Sequence, residues 1–532
     1  MRSDSRDDKH VLAHLKAENE YVKAVLSDTE GLQTTIFKEM KGRIQETDQS
    51  APLRKAGYYY YSRTVQGQQY RIHCRRRLPP SQETSDPRVH DTMSLDEREV
   101  ILLDENKAAS SGGHKFYMTS GIVMSPAHTL MAWGEDTTGN EMYTLRVRCV
   151  DTGRVLTTKP IPNTSGSVAW ASDNKTLFYV TKDKLDRPDK VWKHVLGTDP
   201  KDDVLVFHES DDAFYVGIHR DRSGEMIMIH AGSAITSYVQ YIPADKPNTP
   251  PRVVLPKVQD VEYDASYRGG SFWVLRRTPA TPNSEVLVCS PSGNDGGGDG
   301  MRISVAVPHD AATKIEDILV SSTHLCVFKR NQGLQGATAY KLGFRGLGVP
   351  SLPLTDGLDF NMPEEAYELS AGAQGDFTTS VLRLVYTSLT TPTTWYDADM
   401  NTGEIVAKKE TPVLGGFDRK NYMTKRIWTE SHDGVKVPMS ILYRKDRAKL
   451  DGSDPLLLDA YGAYEISNDP WFDHQKLSLV DRGFTFAIAH VRGGGEMGRH
   501  WYENGKYLKK KNTFYDVIAC AEHLIKTKYT SA

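Results

Sequence analysis

Three textures of apolar and polar positions follow one another along the chain. Between about residues 11 and 44, Val11, Leu12, Leu15, Ala17, Tyr21, Val22, Val25 and Leu26 fall among Lys and Glu at the three-and-four spacing of an amphipathic helix. Pro52 closes that stretch. From Leu53 the pattern changes to short β-rich runs divided by turn residues, recurring roughly every ten residues as antiparallel strands do. Gly57 to Ser62, Gln69 to Cys74, Gly121 to Pro126, Leu130 to Trp133, Leu145 to Val147, Ser167 to Trp170, Leu177 to Val180 and Val191 to His194 are such runs. A third texture begins near residue 413. There two nearly continuous apolar runs, Leu456 to Ala460 and Phe484 to Val491, end in Tyr461-Gly462 and in Arg492-Gly493-Gly494-Gly495-Glu496. Apolar runs bounded by glycine are how the buried strands of an α/β sheet read.

Above the strand pattern lies a looser repeat. Val123 to Trp133 resembles Val168 to Val180, about 45 residues on, with an echo at Tyr215 to Ile229. Asp151-Thr152-Gly153 and Asn401-Thr402-Gly403 each read as the hairpin turn inside one unit. Four-stranded units repeating every 40–50 residues predict a β-propeller, and about 360 residues at about 50 per unit give roughly seven blades. A long sandwich or solenoid is the alternative. The glycine-rich 294–300 segment reads as a flexible loop tip. His432-Asp433-Gly434 predicts a hairpin, whose strands (Thr424 to Thr429 and Val437 to Tyr443) would form the antiparallel edge of the later sheet. Asn512 is placed to cap a last helix running from Thr513 to about Lys528, with Phe514, Val517, Ile518, Ala521, Leu524 and Ile525 on its buried face.

Size and charge narrow the picture. A chain of 532 residues calls for more than one domain. Lys and Arg number 66 against 69 Asp and Glu, a formal net charge of −3, which argues against a general nucleic-acid partner. The Lys509-Lys510-Lys511 run therefore reads as a solvated loop. Five scattered cysteines without paired spacing imply neither a disulfide framework nor a zinc site. The charged first residues carry no apolar signal region, and no run approaches a membrane span. The expectation is a soluble, cytoplasmic protein with no membrane partner.

Several chemical motifs are absent: H-E-x-x-H, G-x-x-x-x-G-K-[ST], and the G-x-S-x-G elbow that a hydrolase sheet needs for its nucleophile. Gly493 to Gly498 matches G-x-G-x-x-G, and Asp516 stands near the place of a ribose-binding acid. The match is poor in context, because another loop, not a helix, is expected after Gly498. His73, His114 and His432 are isolated. Tyr461 is more pointed. It follows a strand at the sheet edge where α/β proteins bind ligands, and its hydroxyl is a candidate donor to an oxyanion. A packing tyrosine is the other reading.

At these residues the sequence resembles the prolyl oligopeptidase family, and its oligopeptidase B branch above all. The resemblance rests on Val11 to Asn19, Gln69 to Arg76, Tyr143 to Val147, Ile161 to Ser167, and Ser388 to Pro392 with Tyr396-Asp397. Above all it rests on His490 to Glu496 continuing through Tyr507 to Phe514. It implies a multidomain protein: a helical segment at 1–52 packing on a hydrolase domain, a seven-bladed β-propeller at 53–412, and an α/β-hydrolase domain from 413, incomplete at 532. It also implies a serine-type oligopeptidase cleaving short peptides after Arg or Lys, without cofactor or metal, and leaves monomer and dimer open. Tyr461 falls on the family's oxyanion tyrosine. Asp469 falls in the loop where oligopeptidase B carries acids for a basic substrate residue, while Trp471 stands where some members have a second acid. The Ser, Asp and His of the triad would lie beyond residue 528; Ser531 lacks the glycine frame of a nucleophile. The chain alone is therefore expected to be inactive. The competing expectation is a non-catalytic propeller that binds partners.

Overall fold

The β-rich texture becomes a closed ring of blades. A computed structural model describes residues 5–157, 159–291, 300–343 and 351–532; most of the predicted 294–300 loop lies outside them. Residues 53–410 form five four-stranded antiparallel sheets and one of seven strands. The seven-stranded sheet is two blades sharing one strand. Strand Ile161–Trp170 pairs through Ile161 and Thr164 with Tyr143–Cys149, and through Val168, Ala169 and Trp170 with Thr176–Lys182. Gly166, at φ +87°, sits between the two pairings. Counting that sheet twice gives seven blades among the described residues.

The internal repeat maps onto equivalent places. All three copies run from the end of a blade's first strand through a turn into its second: Met118–Met124 into Leu130–Asp136, Ile161–Trp170 into Thr176–Lys182, and Tyr215–Arg220 into Met226–Gly232. The second strand is the most apolar because a blade has a neighbour on each face. Leu177 to Val180, Phe272 to Val274 and Leu325 to Phe328 are buried without interruption. Apolar clusters weld the junctions from blade 1 round to blade 7; Trp273 with Val286, Val288, Leu325 and Val327 joins blades 5 and 6. Between blades 7 and 1 no such cluster occurs among the described residues. That seam is polar. Arg383 reaches the Pro52 carbonyl at 3.1 Å, Lys408 donates to the Val89 and Asp91 carbonyls at 2.9 and 2.6 Å, and Asp376 accepts from the Ala56 N–H at 3.0 Å. A cavity of 360 Å³ lined by Leu53, Tyr60, Cys74, Arg383 and Trp395 lies along it.

The N-terminal helical stretch is two helices rather than one. Helix Lys9–Val25 is capped by Asp8, which accepts from the N–H groups of His10 and Val11. A 3₁₀ turn at Ser27–Thr29 breaks the path before helix Glu30–Gly42. No residue of either helix is buried, so the stripe of Leu12, Leu15, Tyr21 and Val22 lies exposed. The second helix touches the C-terminal unit through charge: Glu39 with Arg482 at 2.7 Å, and Arg43 with Asp481 at 3.0 Å.

The C-terminal sheet has the order Tyr422–Glu430, Lys436–Arg444, Thr485–Ala489, Leu456–Asp459. The Asp433-Gly434 hairpin forms as expected, and the last two strands are parallel. Helix Lys511–Lys526 packs Cys520 and Leu524 onto Val437, Met439, Ile441, Ala487 and Ala489. Two details of this helix differ from expectation. Asn512 lies inside it and donates to the Asn504 carbonyl at 2.9 Å, leaving the helix without a side-chain cap. The buried face is Thr513, Asp516, Cys520 and Leu524, whereas Phe514, Ile518 and Ile525 are exposed. A charged partner for Asp516 explains the rotation. No described helix is long and apolar enough to cross a membrane.

Candidate active site at the sheet edge

The site is built on glycines. Strand Leu456–Asp459 ends at Ala460, and Gly462 turns the chain with φ +67°. A Cβ there would come within 2.5 Å of Thr513 Cγ2, and one on Gly493 would lie 2.0 Å from the Gly462 carbonyl oxygen. The Gly-rich loop is thus a backbone-on-backbone platform beneath Tyr461. Lys510 donates to the Gly462 carbonyl, and Thr513 Oγ1 donates to the Arg492 carbonyl at 2.6 Å. The lysine run is therefore only partly solvated: Lys510 belongs to the platform, and burial lowers its pKa.

Asp516 has no exposed surface and takes Arg492 through three hydrogen bonds, from the backbone N–H at 3.0 Å, Nε at 2.9 Å and Nη2 at 2.6 Å. Arg492 Nη1 reaches Asp433 at 2.6 Å. Asp516 is a structural counter-ion, not a ribose acceptor. Contrary to expectation a short helix, Arg499–Glu503, does open after Gly498. Its N-terminus is already filled: Asn283 Oδ1 of blade 5 accepts from the Arg499 N–H at 2.9 Å. No room for a pyrophosphate remains.

Tyr461 stands at the C-terminal end of the edge strand, half exposed, with no hydrogen bond to its hydroxyl recorded among the described residues. The following loop, 463–472, is clamped to blade 6. Arg330, whose side chain is 3% exposed, meets Asp469 as a fork, Nη1 to Oδ1 at 2.6 Å and Nη2 to Oδ2 at 3.0 Å, and its Nε donates to Glu316 at 2.7 Å. Glu465 accepts from Lys314 at 2.7 Å and also from Arg499. Burial works to raise the Glu465 carboxyl, yet these cations bring it below its ordinary value. The Phe472 N–H donates to Thr387 of blade 7 at 3.0 Å. From below, Glu496 accepts from the Asn468 N–H at 2.9 Å. Asp469 is thus not a free carboxylate in this structure; it is half of an ion pair between units.

Between this loop and blades 4 to 6 lies a chamber of 490 Å³, lined by His230, Glu262, Asp264, Lys314, Glu316 and Glu465 among others. Four carboxylates stand on its wall with Arg277, Lys314 and His230, and each is paired: Glu262 with Arg277, Asp264 with His230, Glu316 with Arg330 and Glu465 with Lys314. Elsewhere Ser440 Oγ lies 2.7 Å from His490 Nε2, with Glu496 3.9 Å from Nδ1, a trio of triad residue types. Ser440 is mid-strand and 1% exposed, so no substrate carbonyl can reach it.

A β-propeller is set over the ligand-binding edge of an α/β sheet, with a half-exposed tyrosine at that edge. Residues 1–411 match the profile described as prolyl oligopeptidase, N-terminal beta-propeller domain, and residues 470–532 that of the prolyl oligopeptidase family. The chain belongs to the prolyl oligopeptidase family. It is similar to oligopeptidase B from Trypanosoma brucei with covalently bound antipain, closed form (TM-score 0.86, 36% identity, 99% of this chain and 72% of that one). It is also similar to oligopeptidase B from Leishmania major (TM-score 0.85, 32% identity, 99% of this chain and 71% of that one). Dipeptidyl aminopeptidase BI of Pseudoxanthomonas mexicana is 35% identical over 533 residues, covering all of this chain and 71% of the relative.

Proposed function

We propose that this chain supplies the gate and the oxyanion side of an oligopeptidase that cleaves short peptides after Arg or Lys. The observation that carries this reading is the acid-rich chamber between the propeller and the loop after Tyr461. Carboxylates there favour a cationic side chain. Tyr461 is assigned as donor to the tetrahedral oxyanion, aided by a backbone N–H beside the serine that attacks. Asp469 is assigned to the basic residue of the substrate. The working division is helical 1–52, propeller 53–412 and peptidase unit from 413, in a cytoplasmic protein.

None of the 532 residues forms a Gly-x-Ser-x-Gly elbow. The test is hydrolysis of a fluorogenic arginyl amide by the purified 532-residue chain: no turnover is expected, and measurable turnover would overturn the assignment. An immunoblot of source cells against the propeller sharpens it. A band well above 59.6 kDa supports the peptidase; a sole band at that mass favours a propeller that only binds. In a polypeptide that carries the nucleophile, Tyr461→Phe should lower kcat by about 10² to 10³.

A further inference from the structure

Arg330 is held in an unusual way. Its guanidinium is almost wholly buried, yet it belongs to two carboxylates on different units: Glu316 of its own blade through Nε, and Asp469 of the peptidase loop through the Nη fork. Glu316 is further fixed by Gln335 Nε2 at 3.1 Å and lines the chamber, so one member of the cluster faces that space, and the Asp469 side chain keeps 17% of its surface exposed. Glu368 adds a third carboxyl, raised by burial and then by the Asp469 charge.

We infer that Arg330 is an internal stand-in for the substrate: its guanidinium occupies Asp469 until a basic peptide displaces it, and the displacement releases one of the ties on the loop that follows Tyr461. This rests on the reading of Asp469 as the substrate's carboxylate. Removing one partner of a buried pair is costly because the other charge is left alone. Exchange avoids that cost. When Asp469 passes from Arg330 to an incoming guanidinium, Asp469 stays paired and Arg330 keeps Glu316, so no buried charge is stranded at either end. Geometry also sets the specificity. The Asp469 fork is bidentate, which a planar guanidinium reproduces and an ammonium cannot. Arg330 therefore raises the threshold for every ligand by the same factor, while the preference for Arg over Lys belongs to the Asp469 fork itself. Displacing Arg330 frees one of the ties between blade 6 and the 463–472 loop, which stays attached through Lys314–Glu465 and Thr387–Phe472.

The test uses the 532-residue chain and N-acetyl-Arg-Arg-amide as probe, with the Lys-Lys and citrulline analogues for comparison, by calorimetric titration. Arg330→Gln is expected to tighten Arg-Arg and Lys-Lys binding alike, at least tenfold, and to leave the preference for Arg over Lys unchanged. Asp469→Asn should abolish binding in both backgrounds. In the unsubstituted chain the probe should speed hydrogen exchange at 463–472. A merely structural Arg330 predicts the reverse, weaker binding in Arg330→Gln, and that result overturns the inference while leaving Asp469 as the substrate's acid. Binding that survives Asp469→Asn overturns both. Should Arg330→Gln fail to fold, Glu316→Gln with Arg330→Gln removes the pair together and carries the same expectations.

Discussion

A blade of the propeller and the C-terminal sheet each have four strands, but they cover themselves differently. In blade 5 the second strand, Ser271–Thr278, is buried on both faces from Phe272 to Val274, because blade 4 packs on one face and blade 6 on the other. The C-terminal sheet ends in Leu456–Asp459, where Leu457 is 44% exposed. The helix over it turns Phe514 and Ile518 outward, 62% and 51% exposed. Repetition lets each blade find its complement from its own sequence. The α/β unit depends instead on charges drawn from far along the chain: Arg492 with Asp516 inside it, and Arg330 with Asp469 across to the ring.

The contrast can be broken most forcefully in the propeller core. Trp273→Ala empties a site that is 1% exposed between two blades and should cost about 3–5 kcal/mol in denaturant unfolding. Next comes Asp516→Ala, which leaves the buried Arg492 with Asp433 alone. A loss of about 3 kcal/mol is expected, read as faster hydrogen exchange over 490–526 with the blades unchanged.

Acid separates the regions more gently. Burial depresses His128 and His324 of the propeller to about 4, against an ordinary 6.5, with Lys55 and Lys341 adding to the effect. The unfolded chain takes up these protons first, so their share of stability is whole above pH 6.5 and is lost as pH falls towards 4. His128→Gln with His324→Gln should flatten the propeller's unfolding profile in that window. Asp433 is a case in the other unit: its hydrogen bonds with Arg492 lower its pKa from 3.8, so its contribution persists until the pH drops below that value. Smallest of all, Phe514→Ser should change the stability of the 532-residue chain by no more than about 0.5 kcal/mol.

What the sequence allowed to be read follows the same division. Strand runs, the 45-residue repeat, the Asp433-Gly434 hairpin and the position of Tyr461 after a strand are local signals, and each strand run overlaps a strand, several of them overrunning its ends by one to three residues. The double duty of Ile161–Trp170 has no local mark beyond Gly166. The buried face of the last helix was misjudged because periodicity favours Phe514 and Ile518, and nothing near Asp516 announces that Arg492 will neutralise it. Arg330, Glu316, Lys314 and Glu465 went unnoticed for a similar reason. Arg330 and Asp469 are 139 positions apart, beyond any pattern of spacing.

The seam between blades 7 and 1 gives the ring a mechanical character. Among the described residues six junctions carry apolar clusters, while the seventh is buttoned by Lys408, Arg383 and Asp376 onto main-chain groups. A hoop so made yields first at that clasp. Unbuttoning it would widen the bore without prising an apolar cluster of the described residues into water, and salt, which screens charge but spares hydrocarbon, weakens the clasp more than the apolar junctions.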